Sequence, residues 1–188
     1  MTTDQVLKGK LITLRQIELS DCTETYEKWL NDIEVNQYLE TKWSEQTMES
    51  IQAFVKEQRE NDHSVLFAML HNRNGKHIGN IKIGPINRHY SYADISYFIG
   101  DKSYWKKGIA TEAVFLICKF GFEKLLLHRI EAGAYADAVG SWKALEHNGF
   151  LREGVYREMV CLNGRYTDVY GYGLLRDEFC GGKMEELQ

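Results

Sequence analysis

The chain divides into stretches whose apolar residues fall at strand spacing and others whose apolar residues fall at helix spacing. KLITLR (residues 10–15) alternates apolar and polar and predicts a short strand. Ser20 and Asp21 precede TETYEKWLND, a helix start with acidic residues in its first turn. A second helix is expected between Ser44 and Asn61, with Thr47 able to cap it and Ile51, Phe54, Val55 and Gln58 at helical spacing. SVLFAMLHN (64–72), HIGNIKIG (77–84) and YADISYFIG (92–100) predict three antiparallel strands. Asn74-Gly75 is expected to supply the positive φ angles of the first hairpin turn, and Pro85 to close the middle strand. The run from Ile109 to Lys124 is apolar around most of its circumference and predicts a helix buried on more than one side. RIEAGAYA (129–136) is a strand, SWKALEHNG (141–149) a short helix ended by Gly149, and 150–175 a hairpin around Asn163-Gly164-Arg165. The order is strand, two helices, three strands, helix, strand, helix, two strands: one α/β domain over residues 1–188, its core about 10–176 and 180–188 a frayed tail.

Composition narrows the function. The chain has 188 residues, enough for one full core, with 44% hydrophobic and 27% charged residues. A net charge of −4 argues against general nucleic-acid binding. No run of 18 apolar residues and no apolar leader occurs, so a cytoplasmic protein without membrane association is expected. Cys22, Cys118, Cys161 and Cys180 form no CxxC pair, and the six histidines are scattered, so reduced thiols and no metal site are expected.

The most informative stretch is WKKGIATEA (105–113), where a strand gives way to the apolar helix. The first amides of a helix have no internal partners and carry the positive end of its dipole. Gly108 lets the backbone approach a ligand, Ala110 is small, Thr111 offers a hydroxyl, and Lys106 and Lys107 add charge. Two readings stand at this point: an anion cradle suited to a pyrophosphate, or a solvated turn with two surface lysines. No G-x-x-x-x-G-K-[ST] and no G-x-G-x-x-G before a helix occurs, which sets aside P-loop and dinucleotide folds.

In its context the loop resembles the central Q/R-x-x-G-x-G/A motif of the Gcn5-related N-acetyltransferases, with Gly108 and Ala110 matching and Trp105 in place of Gln or Arg. A tryptophan there is similar to the RimJ/RimL branch, as are Ser141, Glu146, Gly149 and Phe150 in 128–150 and the closing LNGRYTDVYGYGLL (162–175). Lys106 stands where glycine is frequent and Ala138 where asparagine is usual. The resemblance runs from about Leu11 to Arg176. It implies a mixed, mostly antiparallel sheet splayed between the fourth and fifth predicted strands, flanked by helices. It also implies acetyl-CoA as the cofactor and direct transfer to a primary amine, with no covalent enzyme intermediate.

What the resemblance implies for single residues follows. Trp105, Lys106, Lys107, Gly108, Ile109, Ala110, Thr111 and Lys143 would bind the carrier's nucleotide end, and the backbone at Tyr97, Phe98 and Ile99 its pantetheine arm. Ser141 would protonate the leaving thiolate, although a serine before a short helix also reads as an N-cap. The base stays open between Asp94, Glu158, Glu40 and water. Val160 stands where RimL-like members carry a glutamate, and strand alternation would put Glu158 on the same face. Cys118 reads as core. The acceptor, an amine on a small molecule such as a nucleotide-linked amino sugar or a protein N-terminus, would meet Tyr38, Glu40, Arg88, Tyr90 and Arg165. A monomer or homodimer is expected. A non-catalytic acyl-CoA sensor and a domain binding another pyrophosphate remain as rival readings.

Overall fold

A computed structural model describes residues 5–179; the expected frayed tail at 180–188 lies outside them. Eight strands, β1 (Val6–Lys8), β2 (Ile12–Gln16), β3 (Val65–His71), β4 (His77–Asn87), β5 (Tyr92–Ile99), β6 (Arg129–Tyr135), β7 (Leu151–Leu162) and β8 (Arg165–Leu175), form one open sheet in the order β1-β2-β3-β4-β5-β6-β8-β7. Every neighbouring pair is antiparallel except β5 and β6. The helices are α1 (Glu24–Asn31), α2 (Ile33–Asn36), α3 (Met48–Glu60), α4 (Ile109–Glu123) and α5 (Val139–His147).

Side-chain alternation in β3 shows the layering. Val65, Phe67 and Met69 join the core packed by α4 and α5, while Leu66 and Ala68 face Tyr26, Trp29, Ile51 and Val55 from α1 and α3. Both faces of the middle of the sheet are covered, which is why that strand reads as continuously apolar. The apolar wrap of α4 is used as expected: ten of its fifteen residues are buried. Its Gly121 leaves room for Ile130 from β6, whose Cδ1 would lie 2.8 Å from an added Cβ.

Several local expectations change. An additional strand, β1, pairs with β2 through a turn at Gly9–Leu11, so the strand expected at 10–15 occupies 12–16. Helix α1 is capped by Thr23, whose Oγ1 accepts from the Tyr26 amide at 3.4 Å, and Ser20–Asp21 form a separate 3-10 turn. Thr47 caps α3 as expected, within a reciprocal box with Ser50. In the first hairpin only Gly75 has positive φ; in the last, both Asn163 (51°) and Gly164 (76°) do, as an Asn-Gly turn requires. Pro85 does not end β4: the strand continues to Asn87, with a register shift against β5 between Ile83 and Ile86. A bulge absorbs the residue that cannot donate.

The splay comes from where pairing stops. Tyr92, Ala93 and Asp94 pair with Arg129, Ile130 and Glu131, and from Ile95 to Ile99 β5 pairs with no strand on that side among the described residues. Close packing of β4 on β5 keeps the other side shut, because a Cβ on Gly79 would land on the Phe98 carbonyl oxygen. We expect Gly79→Ala to lower stability by roughly 1–3 kcal/mol through overpacking against fixed backbone. A urea titration reads this, and an unchanged midpoint would mean that the two strands have slack.

Candidate active site

The open side of β5 has a definite polarity. The Ser91 carbonyl accepts from the His128 and Arg129 amides on the β6 side, whereas the Gly100 amide donates to Ile78 on the β4 side. Strand alternation therefore turns the amides and carbonyls of Ile95, Tyr97 and Ile99 into the gap, and those of Ser96 and Phe98 toward β4. Of the three backbone positions expected to hold a pantetheine arm, Tyr97 faces the gap fully and Phe98 does not. Ile99 faces it with its carbonyl already bonded by the Trp105 indole N–H at 2.9 Å. Ile95, missed in the sequence, is the added position; only the ladder reveals its direction.

Beyond Ile99 the chain turns through Lys102–Tyr104 and enters α4. Lys106 (φ 58°) and Gly108 (φ 77°) both adopt the left-handed conformation, and Gly108 is the N-cap residue. No side chain caps the helix, and the amides of Ile109, Ala110 and Thr111 have no hydrogen-bond partner among the described residues. These amides, the left-handed glycine and the exposed Lys106 and Lys107 suit a diphosphate at a helix N-terminus. The cradle and the open edge of β5 adjoin, so the residues present fit a long carrier with a diphosphate at one end. Lys143, on α5, is exposed with its Nζ 5.8 Å from the Trp142 ring centre.

A buried carboxylate fixes the start of α4. Glu112 is 4% exposed and accepts from the amides of Lys10 (2.7 Å), Leu11 (2.8 Å) and Ile12 (2.8 Å). Gly9 leaves space for it; a Cβ there would lie 2.6 Å from the carboxyl carbon. On the other side, Lys102 bonds Asp32 at 2.8 Å and also Glu34, tying the loop before the cradle to the α1–α2 junction.

Across the gap, Ser141 is not an N-cap. Helix α5 starts at Val139, and Ser141 lies in its first turn, where its Oγ donates to the Tyr97 hydroxyl at 3.2 Å. The Tyr97 hydroxyl in turn donates to the Ser141 carbonyl at 2.9 Å. Burial raises the Tyr97 pKa, partly offset by this serine, so the phenol stays protonated. Asp94 is the last β5 residue paired with β6. Burial pushes its carboxyl up to about 6, with Lys82 pulling it down and Glu131 pushing it up.

The other carboxylates sit differently. Glu40 accepts from the Tyr135 hydroxyl and, at 3.1 Å, from the Trp43 indole, and these bonds lower its pKa. A carboxylate so held is a weak base. Glu158 lies on β7, the outer strand, inside a register shift between Tyr156 and Val160. Its φ is 51° and its amide donates to Asp168 at 2.8 Å, so the alternation expected to align it with position 160 is broken. Cys118 is fully buried in α4 and burial raises its thiol pKa, as a core cysteine requires.

Tyr38 and Arg165 line one cavity of about 380 Å³, together with Gln37, Lys42, Trp43 and Asp137. Glu40 reaches its edge through Tyr135, whose ring lies 5.8 Å from that of Tyr38. Arg88 and Tyr90 lie apart, in the β4–β5 turn at the closed end of the split, where Arg88 donates to the Asp62 carbonyl at 2.9 Å. Ile33, Gln37, Lys42 and Asp137 are among the cavity residues that sequence reading did not single out.

A family model described as an acetyltransferase (GNAT) domain matches residues 12–151. The chain belongs to the GNAT acetyltransferases. It is 32% identical to Probable N-acetyltransferase YjcK of Bacillus subtilis (strain 168) over 173 residues, 87% of this chain and 93% of that one. It is 31% identical to Uncharacterized N-acetyltransferase p20 of Bacillus licheniformis over 94% of this chain and 99% of that one. Among solved structures, a GNAT-family acetyltransferase from Bacillus anthracis superposes with a TM-score of 0.79 at 24% identity, covering 93% of this chain and all of that one. Spermidine N-acetyltransferase from Vibrio cholerae, solved with CoA and spermine, gives 0.80 at 21% identity over 90% of this chain and 98% of that one. These superpositions show a shared fold, and the family makes this GNAT chain an acyltransferase.

Removing the Glu112 carboxylate leaves three amides without an acceptor, one of them buried. Glu112→Ala should therefore cost about 2–3 kcal/mol of stability. Equilibrium unfolding in urea checks this, and a wild-type midpoint would mean that the β1–β2 turn is anchored elsewhere.

Proposed function

We propose that this GNAT protein moves an acetyl group from acetyl-CoA directly to a primary amine, without a covalent enzyme intermediate. The supporting observation is the junction of the unpaired β5 edge with the three free amides at the start of α4. Bound acetyl-CoA supplies the activated acetyl thioester. Ile109, Ala110 and Thr111 would hold its diphosphate through their amides, with Lys106, Lys107 and Lys143 adding charge. Backbone groups of Ile95, Tyr97 and Ile99 would hold the arm. An amide among them, aimed at the carbonyl oxygen, would favour the negative charge that grows there.

Ser141 Oγ is the proton donor in this reading, and Tyr97 positions it. The positive end of α5 beside Ser141 favours charge on a departing sulfur. Asp94, with its raised pKa and its place at the vertex of the split, is the base that takes the amine proton, directly or through water. Glu40 and Glu158 fit that role less well. The acceptor is a nucleotide-linked amino sugar or similar small amine, or a protein N-terminus. We also infer a single-domain cytoplasmic enzyme of the RimJ/RimL branch, acting as a monomer or homodimer.

Release of free CoA from acetyl-CoA, run against peptides, polyamines and amino-sugar nucleotides, tests the activity; CoA affinity without release across the panel would leave only a binding module. Ser141→Ala should lower kcat about 100-fold with the acetyl-CoA KM little changed. Wild-type turnover in that variant would remove Ser141 from the mechanism.

Asp94 also sets a pH dependence. The acceptor kcat/KM should rise through about pH 6 as Asp94 ionises, and Asp94→Asn should abolish that limb while leaving any later limb from the amine. The folded state binds this proton more tightly than the unfolded chain does, near 3.8, so ionisation costs stability as pH rises from about 4 to 6. Asp94→Asn should thus gain stability relative to wild type above pH 6 and not at pH 4. Parallel pH profiles in the two proteins would exclude Asp94 as the base.

A further inference from the structure

The cavity beside the split is rich in cationic donors that the protein does not use up. Lys42 Nζ donates to the Gln37 carbonyl at 2.9 Å and lies 4.8 Å from the Trp43 ring centre and 4.9 Å from that of Tyr135. Among the described residues it makes no ion pair: the Glu40 oxygens are turned to Tyr135 and Trp43. Arg165 uses one guanidinium nitrogen on Asp137 Oδ2 at 2.6 Å; the rest of its fork makes no bond within the described residues. Among the described residues Asp137 is the only carboxylate that lines the cavity, and Arg165 holds it.

A cavity for a polycation would present unpaired carboxylates; here ammonium and guanidinium groups face the space instead. Its position links it to the chemistry. The Tyr38 hydroxyl donates to the Asp137 carbonyl at 3.2 Å, and Asp137 lies two residues before the start of α5, whose first turn carries Ser141.

We infer that the acceptor amine carries an anionic group, phosphate or carboxylate, which Lys42 and Arg165 bind in this cavity while the amine enters the split. This rests on the acetyl-transfer reading above and narrows its acceptor. Asp137 keeps the guanidinium oriented in the empty cavity, and the anion takes the remaining donors of Arg165 and the outward N–H groups of Lys42. Planar, bidentate contact by Arg165 suits phosphate and carboxylate alike.

The test compares matched amines on the full chain saturated with CoA, by calorimetric titration, and with acetyl-CoA, by CoA release. The pairs are glucosamine 6-phosphate against glucosamine, and an alanyl dipeptide against its amide; a UDP-linked amino sugar and spermidine complete the set. The anion-bearing member should bind at least tenfold more tightly and show at least tenfold higher kcat/KM in one or more pairs. Its identity separates a phosphate source from a carboxylate source. In Lys42→Met/Arg165→Gln that ratio should fall below threefold, while the affinity for acetyl-CoA stays within twofold as a check on folding. Equal binding of both members in every pair, a preference for spermidine, or a ratio kept in the double variant would each overturn the inference. Release of CoA with neutral amines at equal efficiency would overturn it and leave acetyl transfer standing. Tight, Arg165-dependent binding of the anionic amine without CoA release would keep Lys42 and Arg165 as an anion site but overturn the amine's role as acceptor, together with the transferase reading.

Discussion

A strand edge inside a protein has to find hydrogen bonds, and β5 finds only half of its own. After Asp94 the groups of Ile95, Tyr97 and Ile99 that point toward β6 meet no strand. An unmet amide or carbonyl away from water costs free energy comparable to a lost hydrogen bond. A guest with its own amides can replace the missing strand. One protein donor already reaches in: the Trp105 indole closes the Ile99 carbonyl, at the end of the gap next to the cradle. The arrangement therefore sets both the direction in which a carrier lies and the residue at which its pairing ends.

Charge placement follows the same logic at the helix start. Glu112 would repel an anion bound at the cradle if its charge faced that way. Instead three amides of the β1–β2 turn take both of its oxygens, and the amides of α4 stay free. The same contact seats β1 and β2 on α4, so the edge of the sheet is tied to the start of the helix that carries the cradle. Lys102 does a similar thing on the opposite flank by ion pairing with Asp32 and Glu34. Both devices leave the cradle held from outside while its own donors remain available.

Much of this was legible in the order of residues because it depends on near neighbours. The helix that wraps its apolar residues all round, the Asn163-Gly164 turn and the strand–glycine–helix junction at Gly108 are local patterns, and each appears where the spacing put it. Glu112 was invisible for the opposite reason: its partners are about a hundred residues away. Ser141 reads as a cap by propensity, yet the helix starts two residues earlier and its hydroxyl goes to Tyr97, 44 positions distant. Glu158 was misplaced by the assumption that strands keep a period of two, and Pro85 by the assumption that a proline ends a strand; a bulge breaks each assumption. Of the residues expected to meet an acceptor, Tyr38 and Arg165 come together in one cavity while Arg88 and Tyr90 lie elsewhere, since which loops converge is decided by strand order.

The kink in β7 has its own consequence. This strand ends the sheet, is twelve residues long, and exposes Val155, Tyr156 and Met159, a composition that invites another chain to add alongside. At Arg157–Met159 the ladder skips, Glu158 turns left-handed, and an acid and a base stand side by side at the rim. A straight intruder could match only a few rungs on either side of that interruption, so the longest exposed border of the molecule resists zippering with its copies.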